Sequence, residues 1–179
     1  SILLKNNGIL PLKEGQQVLL VGRWAKVAPQ GGGSSRVKGF NQVTSEQALL
    51  SALRAKVKAV EKPNFIELQK ANKKVIVLIL SGSGIDMSAW HDKVSAIIYG
   101  WYPGQAGMQA IADIMVGKIN PSGKLPATIE KSFKDSPAYG MVPAGLPVSY
   151  KSRNTNELWI APRHYDVHYK ESVLVGYRW

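Results

Sequence analysis

The chain has 179 residues, enough for one domain with one core, and 45% of them are hydrophobic, as in an ordinary folded protein. No apolar run approaches the roughly 20 residues needed to span a bilayer, and the absence of cysteine excludes disulfides and thiolate metal sites. The net charge of +11 comes from 23 Lys and Arg against 12 Asp and Glu, but the basic residues are scattered and match no nucleic-acid module, so the expectation is a solvated basic surface with neither nucleic acid nor membrane as partner.

The chain opens on an apolar cluster, Ile2 to Leu4, followed by an Asn-Asn-Gly turn and then Ile9-Leu10-Pro11-Leu12. Asn and Gly tolerate the positive φ that such a turn needs, so Ile2 to Lys13 reads as a structural lead-in, with no signal peptide before it. Gln17 to Ala25 reads as the first strand, with a Pro-Gln-Gly-Gly-Gly loop after it. Thr44 or Ser45 is placed to cap a helix through Arg54, whose Ala48, Leu49, Ala52 and Leu53 share one face. Val57 to Val60 reads as a second strand, and Phe65 to Ala71 as the tail of a helix.

Lys74 to Ser81 is apolar throughout its middle, the pattern of a parallel strand covered on both faces. Ser95 to Tyr102 reads as the next strand. A helix over Gln105 to Val116 follows, with Met108, Ile111, Ala112 and Met115 on one face and Gly117 ending it. Residues 132 to 171 are rich in Pro, Gly, Ser and Tyr and read as an irregular surface excursion, before a last strand at Ser172 to Tyr177. Strands alternating with helices predict an α/β fold, a three-layer α/β sandwich around a mainly parallel sheet. Val18 to Val21, Val75 to Leu80 and Ala96 to Tyr99 are expected in one sheet.

In such a sheet the crevice outside the strand C-termini is the default ligand site. Gly31, Gly32 and Gly33 follow the first strand and let backbone approach a ligand, while Ser34 and Ser35 add hydroxyls. The loop is either a ligand-side loop or a structural turn. It lacks the Gly-Lys-Ser/Thr ending of a phosphate-binding loop and the spacing of a dinucleotide fingerprint. Gly82-Ser83-Gly84 lacks the Gly-x-Ser-x-Gly spacing of a nucleophile elbow. Trp101 and Tyr102 are either a sugar platform or core packing, and core packing is favoured. His164 and His168 lie four apart, but no Glu follows His164, so no metal site is expected.

Four segments resemble, in order, the C-terminal α/β domain of glycoside hydrolase family 3, the β-glucosidase and β-xylosidase family. They are ILLKNNGILPLK near the start, QGGGSSRV at Gln30 to Val37, YGWYPGQAGMQAIADIMVGKINPSGKL at Tyr99 to Leu125, and HYKESVLVGYRW at the end. The resemblance implies one domain over residues 1–179, excised or trimmed from a larger hydrolase. It implies a β-linked oligosaccharide or aryl glycoside as substrate, no cofactor, and a secreted or periplasmic location. It makes Gly31 to Ser35 an edge of the sugar cleft. It also makes the segment around Ser81 to Met87 a structural strand exit, with Asp86 capping the next turn.

Retaining hydrolysis needs two carboxylates, a nucleophile and an acid/base. By the resemblance, the nucleophile belongs to an N-terminal (β/α)8 barrel, so that barrel is the implied partner and the chain is expected to be inactive without it. The acid/base Glu is implied between the second strand and the helix before Val75. Here that interval is compressed to Val60-Glu61-Lys62-Pro63-Asn64-Phe65, as though a strand and loop were deleted. Glu61 is the nearest candidate for a remnant of the acid/base, against the plainer reading of a solvated Glu at a strand end. The alternative for the whole chain is a non-catalytic α/β scaffold or weak carbohydrate-binding module.

Overall fold

A computed structural model describes residues 1–37, 39–61, 74–136 and 139. The helix expected at Phe65 to Ala71, the strand at Ser172 to Tyr177, the pair His164 and His168, and most of the excursion at 132 to 171 lie outside the described residues. The chain divides into two compact units, Ser1–Lys124 and Leu125–Trp179. In the second, the described part includes a short 3-10 turn at Phe133–Asp135. The first unit carries all the described strands and α-helices.

Its elements run β1 (Ile2–Asn6), β2 (Val18–Val21), α1 (Ser45–Leu53), β3 (Val57–Val60), β4 (Ile76–Ile79), β5 (Ala96–Tyr99) and α2 (Gly107–Met115). The fold is α/β, with two parallel pairings: β2 with β3 from Val18↔Val57 to Val21↔Val60, and β4 with β5 from Ile76↔Ala96 to Ile79↔Tyr99. Strand β1 was expected only as a lead-in. It pairs antiparallel with β5, with a register shift between Leu3 and Lys5. Asn6 then fixes the turn: its Oδ1 accepts from the Gly8 and Leu10 amides at 3.1 Å each, and Gly8 takes φ 80°. The Leu12 amide donates to the Met115 carbonyl at 2.7 Å, which ties the lead-in to the end of α2.

The core is built by period. Ala96 and Ile98 alternate onto one face of β5 and meet Ala48, Leu49 and Leu53 of α1 and Met108, Ile111, Ala112 and Met115 of α2. Ile97 and Tyr99, on the opposite face, are buried as well. Strand β5 is thus covered on both faces, as a middle layer requires.

Of the two expected caps, Thr44 is the one used, and helix α1 begins at a complete capping box: Thr44 accepts from the Gln47 amide at 3.2 Å, and Gln47 Oε1 accepts from the Thr44 amide at 2.9 Å. Ser45 is buried and donates to the Trp24 carbonyl at 2.8 Å, so the helix start is anchored to the turn after β2. Thr44→Ala is expected to cost about 1 kcal/mol, because the Gln47 amide at the helix start loses its acceptor. Urea denaturation checks this; no shift in midpoint would contradict the box.

Two expectations are corrected. The first strand ends at Val21, not Ala25, because Gly22 takes φ 120° and Arg23–Ala25 closes a 3-10 turn. The three strands expected in one sheet fall in two hydrogen-bonded sheets. One holds β1, β5 and β4 in that order, and the other holds β2 and β3. The physical reason is that β2 and β4 do not meet. Residues of both line a cavity of about 600 Å³, together with side chains of α1 and α2.

Candidate functional site

Parallel strands end on the same side, so the loops after β2 and β3 share one edge, and so do those after β4 and β5. All the candidate residues follow these carboxyl ends. The amide of Gly22 donates to the Val60 carbonyl at 2.9 Å, which sets the exits of β2 and β3 side by side and places Glu61 next to the start of the loop. Glu61 itself is exposed.

The loop is a self-closed turn. Gly33–Ser35 forms one 3-10 turn, Ser35 Oγ donates to the Gly32 carbonyl at 2.8 Å, and Gly33 takes φ 57°. A Cβ on Gly31 would stand 2.7 Å from Ser35 Oγ and 2.9 Å from the Ser35 carbonyl oxygen, so the turn closes only around a glycine there. Gly32, Gly33, Ser34 and Ser35 are exposed and Gly31 is half-buried. The Ser34 and Ser35 hydroxyls therefore lie at the surface and not in the core.

After β4, Ser81 Oγ donates to the Ser83 carbonyl at 3.0 Å. Asp86 Oδ1 accepts from the Ser88 hydroxyl at 2.5 Å and from its amide at 2.8 Å. These bonds favour the carboxylate form and hold Asp86 below its ordinary pKa. Asp86 thus caps a local turn, as the resemblance implied.

After β5, Tyr99 is fully buried and its hydroxyl donates to the Ser83 carbonyl, joining two strand exits. Trp101 is half-buried with its ring 4.5 Å from that of Tyr99, tilted by 45°. It takes φ 57°, a left-handed backbone unusual for so large a side chain. Core packing describes Tyr99 and, in part, Trp101. Tyr102 departs from it, since it is 58% exposed beside Gly82, where a Cβ would meet its ring at 2.8 Å.

One contact links the two sheets' loops. Gln105 Oε1 accepts from the Phe40 amide at 3.2 Å across 65 residues of sequence. It holds the stretch following the glycine loop against the turn before α2. Phe40 is 80% exposed. Reading the sequence did not single out Phe40; its only signal there is a lone aromatic among Gly, Ser, Asn and Gln. Among the described residues no cluster of three or more His, Cys, Asp or Glu is arranged to hold a metal. No helix of the described residues is long and apolar enough to cross a membrane.

Residues 63–177 match the glycosyl hydrolase family 3 C-terminal domain. Beta-glucosidase B of Emericella nidulans is 40% identical over 108 residues, covering 60% of this chain and 12% of that protein. A β-glucosidase of Bacteroides ovatus is 34% identical over 112 residues, covering 63% of this chain and 13% of that protein. Among solved structures, β-D-glucoside glucohydrolase of Trichoderma reesei superposes with a TM-score of 0.64 at 21% identity, over 75% of this chain and 29% of that one. β-Glucosidase 3B of Thermotoga neapolitana, solved with glycerol, gives 0.58 at 22% identity over 99% of this chain and 33% of that one. At such identities the superpositions speak for the fold, and the chain matches about one eighth of the length of these curated relatives. The chain belongs to glycosyl hydrolase family 3, through the C-terminal domain of that family.

Proposed function

We propose that this chain forms one wall of the sugar cleft of a β-glucosidase that hydrolyses terminal β-linked glucose, presented as an oligosaccharide or aryl glycoside, and that an N-terminal (β/α)8 barrel supplies the nucleophile. The observation that carries this reading is that a hydrogen bond joins the loops at the carboxyl ends of the two sheets. Exposed Gly32 to Ser35, exposed Glu61 and the 101–105 turn all follow strand C-termini, and the Phe40–Gln105 bond ties two of these loops together. The curated relatives named above are β-glucosidases. Hydroxyls and backbone of the glycine loop suit sugar hydroxyls. The exposed rings of Tyr102 and Phe40 suit the C–H faces of a pyranose.

Glu61 is the residue proposed as a remnant acid/base. An acid that protonates a leaving oxygen works opposite a nucleophile in a site closed to bulk water. Glu61 is open to solvent here. A covering barrel would have to supply both the nucleophile and the closure.

The isolated chain is therefore expected to release no nitrophenol from nitrophenyl β-glucoside above background, and Glu61→Gln is expected to leave that null result unchanged. Loss of the nucleophile from a catalytic unit removes on the order of 10⁴-fold or more of the rate. Turnover that disappears in Glu61→Gln would contradict the inactivity and support Glu61. Turnover that survives it would point to another carboxylate pair.

A further inference from the structure

Among the described residues no strand lies between β2 and β4, and we propose that the gap between them is a receptor for an extended apolar segment supplied from another polypeptide. This goes beyond the glycosidase reading and does not depend on it. The 600 Å³ cavity has strand backbone on two sides: Val18 to Val21 on one, Lys74 to Leu78 on the other. The side chains of Leu49, Met108, Ile111 and Met115 lie over it from the helices.

The direction of the peptide groups follows from the hydrogen bonds already made. In a parallel ladder, alternate residues of a strand turn both N–H and C=O to one side. On β2 the Val18 amide donates to the Lys56 carbonyl, and two turns of the pleat later Gly22 donates to Val60, so Val18, Leu20 and Gly22 face β3. Leu19 and Val21 must face the cavity. On β4 the Val75 and Ile79 carbonyls accept from Ser95 and Gly100, so Val75, Val77 and Ile79 face β5. Ile76 and Leu78 must face the cavity. Neither edge has a hydrogen-bonded strand among the described residues.

Two backbone edges without a partner strand among the described residues, both on one apolar cavity, call for a particular occupant. A lipid or aromatic ligand would fill the volume but leave these peptide groups unbonded, at a cost of about 1–3 kcal/mol for each one kept from water. A strand satisfies both edges at once. The size agrees as well. A strand residue takes about 3.3 Å along the chain, about 4.8 Å to its neighbour and about 10 Å between packed layers, so roughly four residues fill the cavity. That is the length of β2, β3, β4 and β5.

Burial shows the same deficit. Every residue of β5, flanked on both sides, is buried, whereas β4 is buried only at Ile79 and β2 nowhere, with Leu19 41% exposed. Helices above and an apolar lining select Val, Ile and Leu in the occupant. Arg23 and Lys74 are the cations of the lining and favour acidic residues at its ends.

The test uses the full chain and a capped peptide of five consecutive Val and Ile residues flanked by glutamates. Two controls accompany it: the same peptide with a central Pro, and one N-methylated at alternate residues so that one edge loses its donors. The expected result is saturable one-to-one binding, weakened at least tenfold by either control, with amide exchange at Leu19, Val21, Ile76 and Leu78 slowed at least tenfold on binding. Equal binding of all three peptides would overturn the proposal in favour of a general apolar ligand, and absence of binding would overturn it outright. Slow exchange at those four amides in the free chain would mean that the chain already pairs its own edges. Protection that rises with chain concentration, without peptide, would make the occupant a second copy.

Discussion

Ile98→Ala is expected to remove about 2–5 kcal/mol of stability. Ile98 is fully buried in the middle strand of its sheet, paired with Leu3 of β1 on one side and Leu78 of β4 on the other. Its side chain belongs to the cluster that joins both helices to the strand, so truncation leaves a cavity where three elements meet. Domains of this kind are stable by only about 5–15 kcal/mol, so this one change takes a large share. Leu19→Ala, on the open edge of β2, is expected to cost about 1 kcal/mol or less, because Leu19 keeps 41% of its surface in water. Urea midpoints of the two variants, at unchanged slope, decide the matter. Equal losses would contradict the contrast between a closed β5 and an open β2.

Gly107→Ala is expected to destabilise the chain by about 2 kcal/mol, against the direction of helix propensity. Gly107 is the first residue of α2, and alanine has the higher intrinsic helix propensity. A Cβ there would lie 2.1 Å from Pro103 Cβ and 2.9 Å from Pro103 Cγ. The pyrrolidine ring cannot rotate away, so the backbone must shift, and overpacking of this kind costs about 1–3 kcal/mol beyond what propensity returns. The shift would also move Tyr102 and Gln105, and with them the acceptor that holds the Phe40 amide. Thermal denaturation measures the loss; a variant more stable than the parent would show that the Pro103 contact is not a constraint.

Local signals carried much of the fold. A cap at Thr44, one of the two candidates, the strand at Val57–Val60 and the apolar face of α2 stand where hydrophobic period and cap chemistry put them. The strand ends were less legible. Gln17 to Ala25 and Ser95 to Tyr102 each read as one strand, yet the first is stopped at Gly22 by φ 120°, and the second ends at Tyr99, before Trp101 at φ 57°. Neither angle is written in hydrophobic period. Strand β1 was missed because its pairing with β5 spans most of the unit, and Ile2 to Leu4 alone is too short to announce a strand.

The division into two sheets was hidden for a related reason. Apolar strands reveal that they need cover, but not which edge meets which. Of the site, the glycine loop and the exposure of its serines could be anticipated from composition. The Phe40–Gln105 bond could not, because it joins residues that share no local pattern.

On the function proposed above, these loops become catalytic only when a barrel closes over them. The direct measurement mixes the purified chain with the separately produced (β/α)8 barrel of a family 3 β-glucosidase and follows nitrophenol release from nitrophenyl β-glucoside. The prediction is turnover that needs both components and saturates as the chain is added. It should fall at least tenfold when Gly31→Val forces the turn open, since any Cβ at Gly31 meets Ser35 within 2.9 Å. Absence of turnover at every ratio of the two, with both components folded, would contradict the claim.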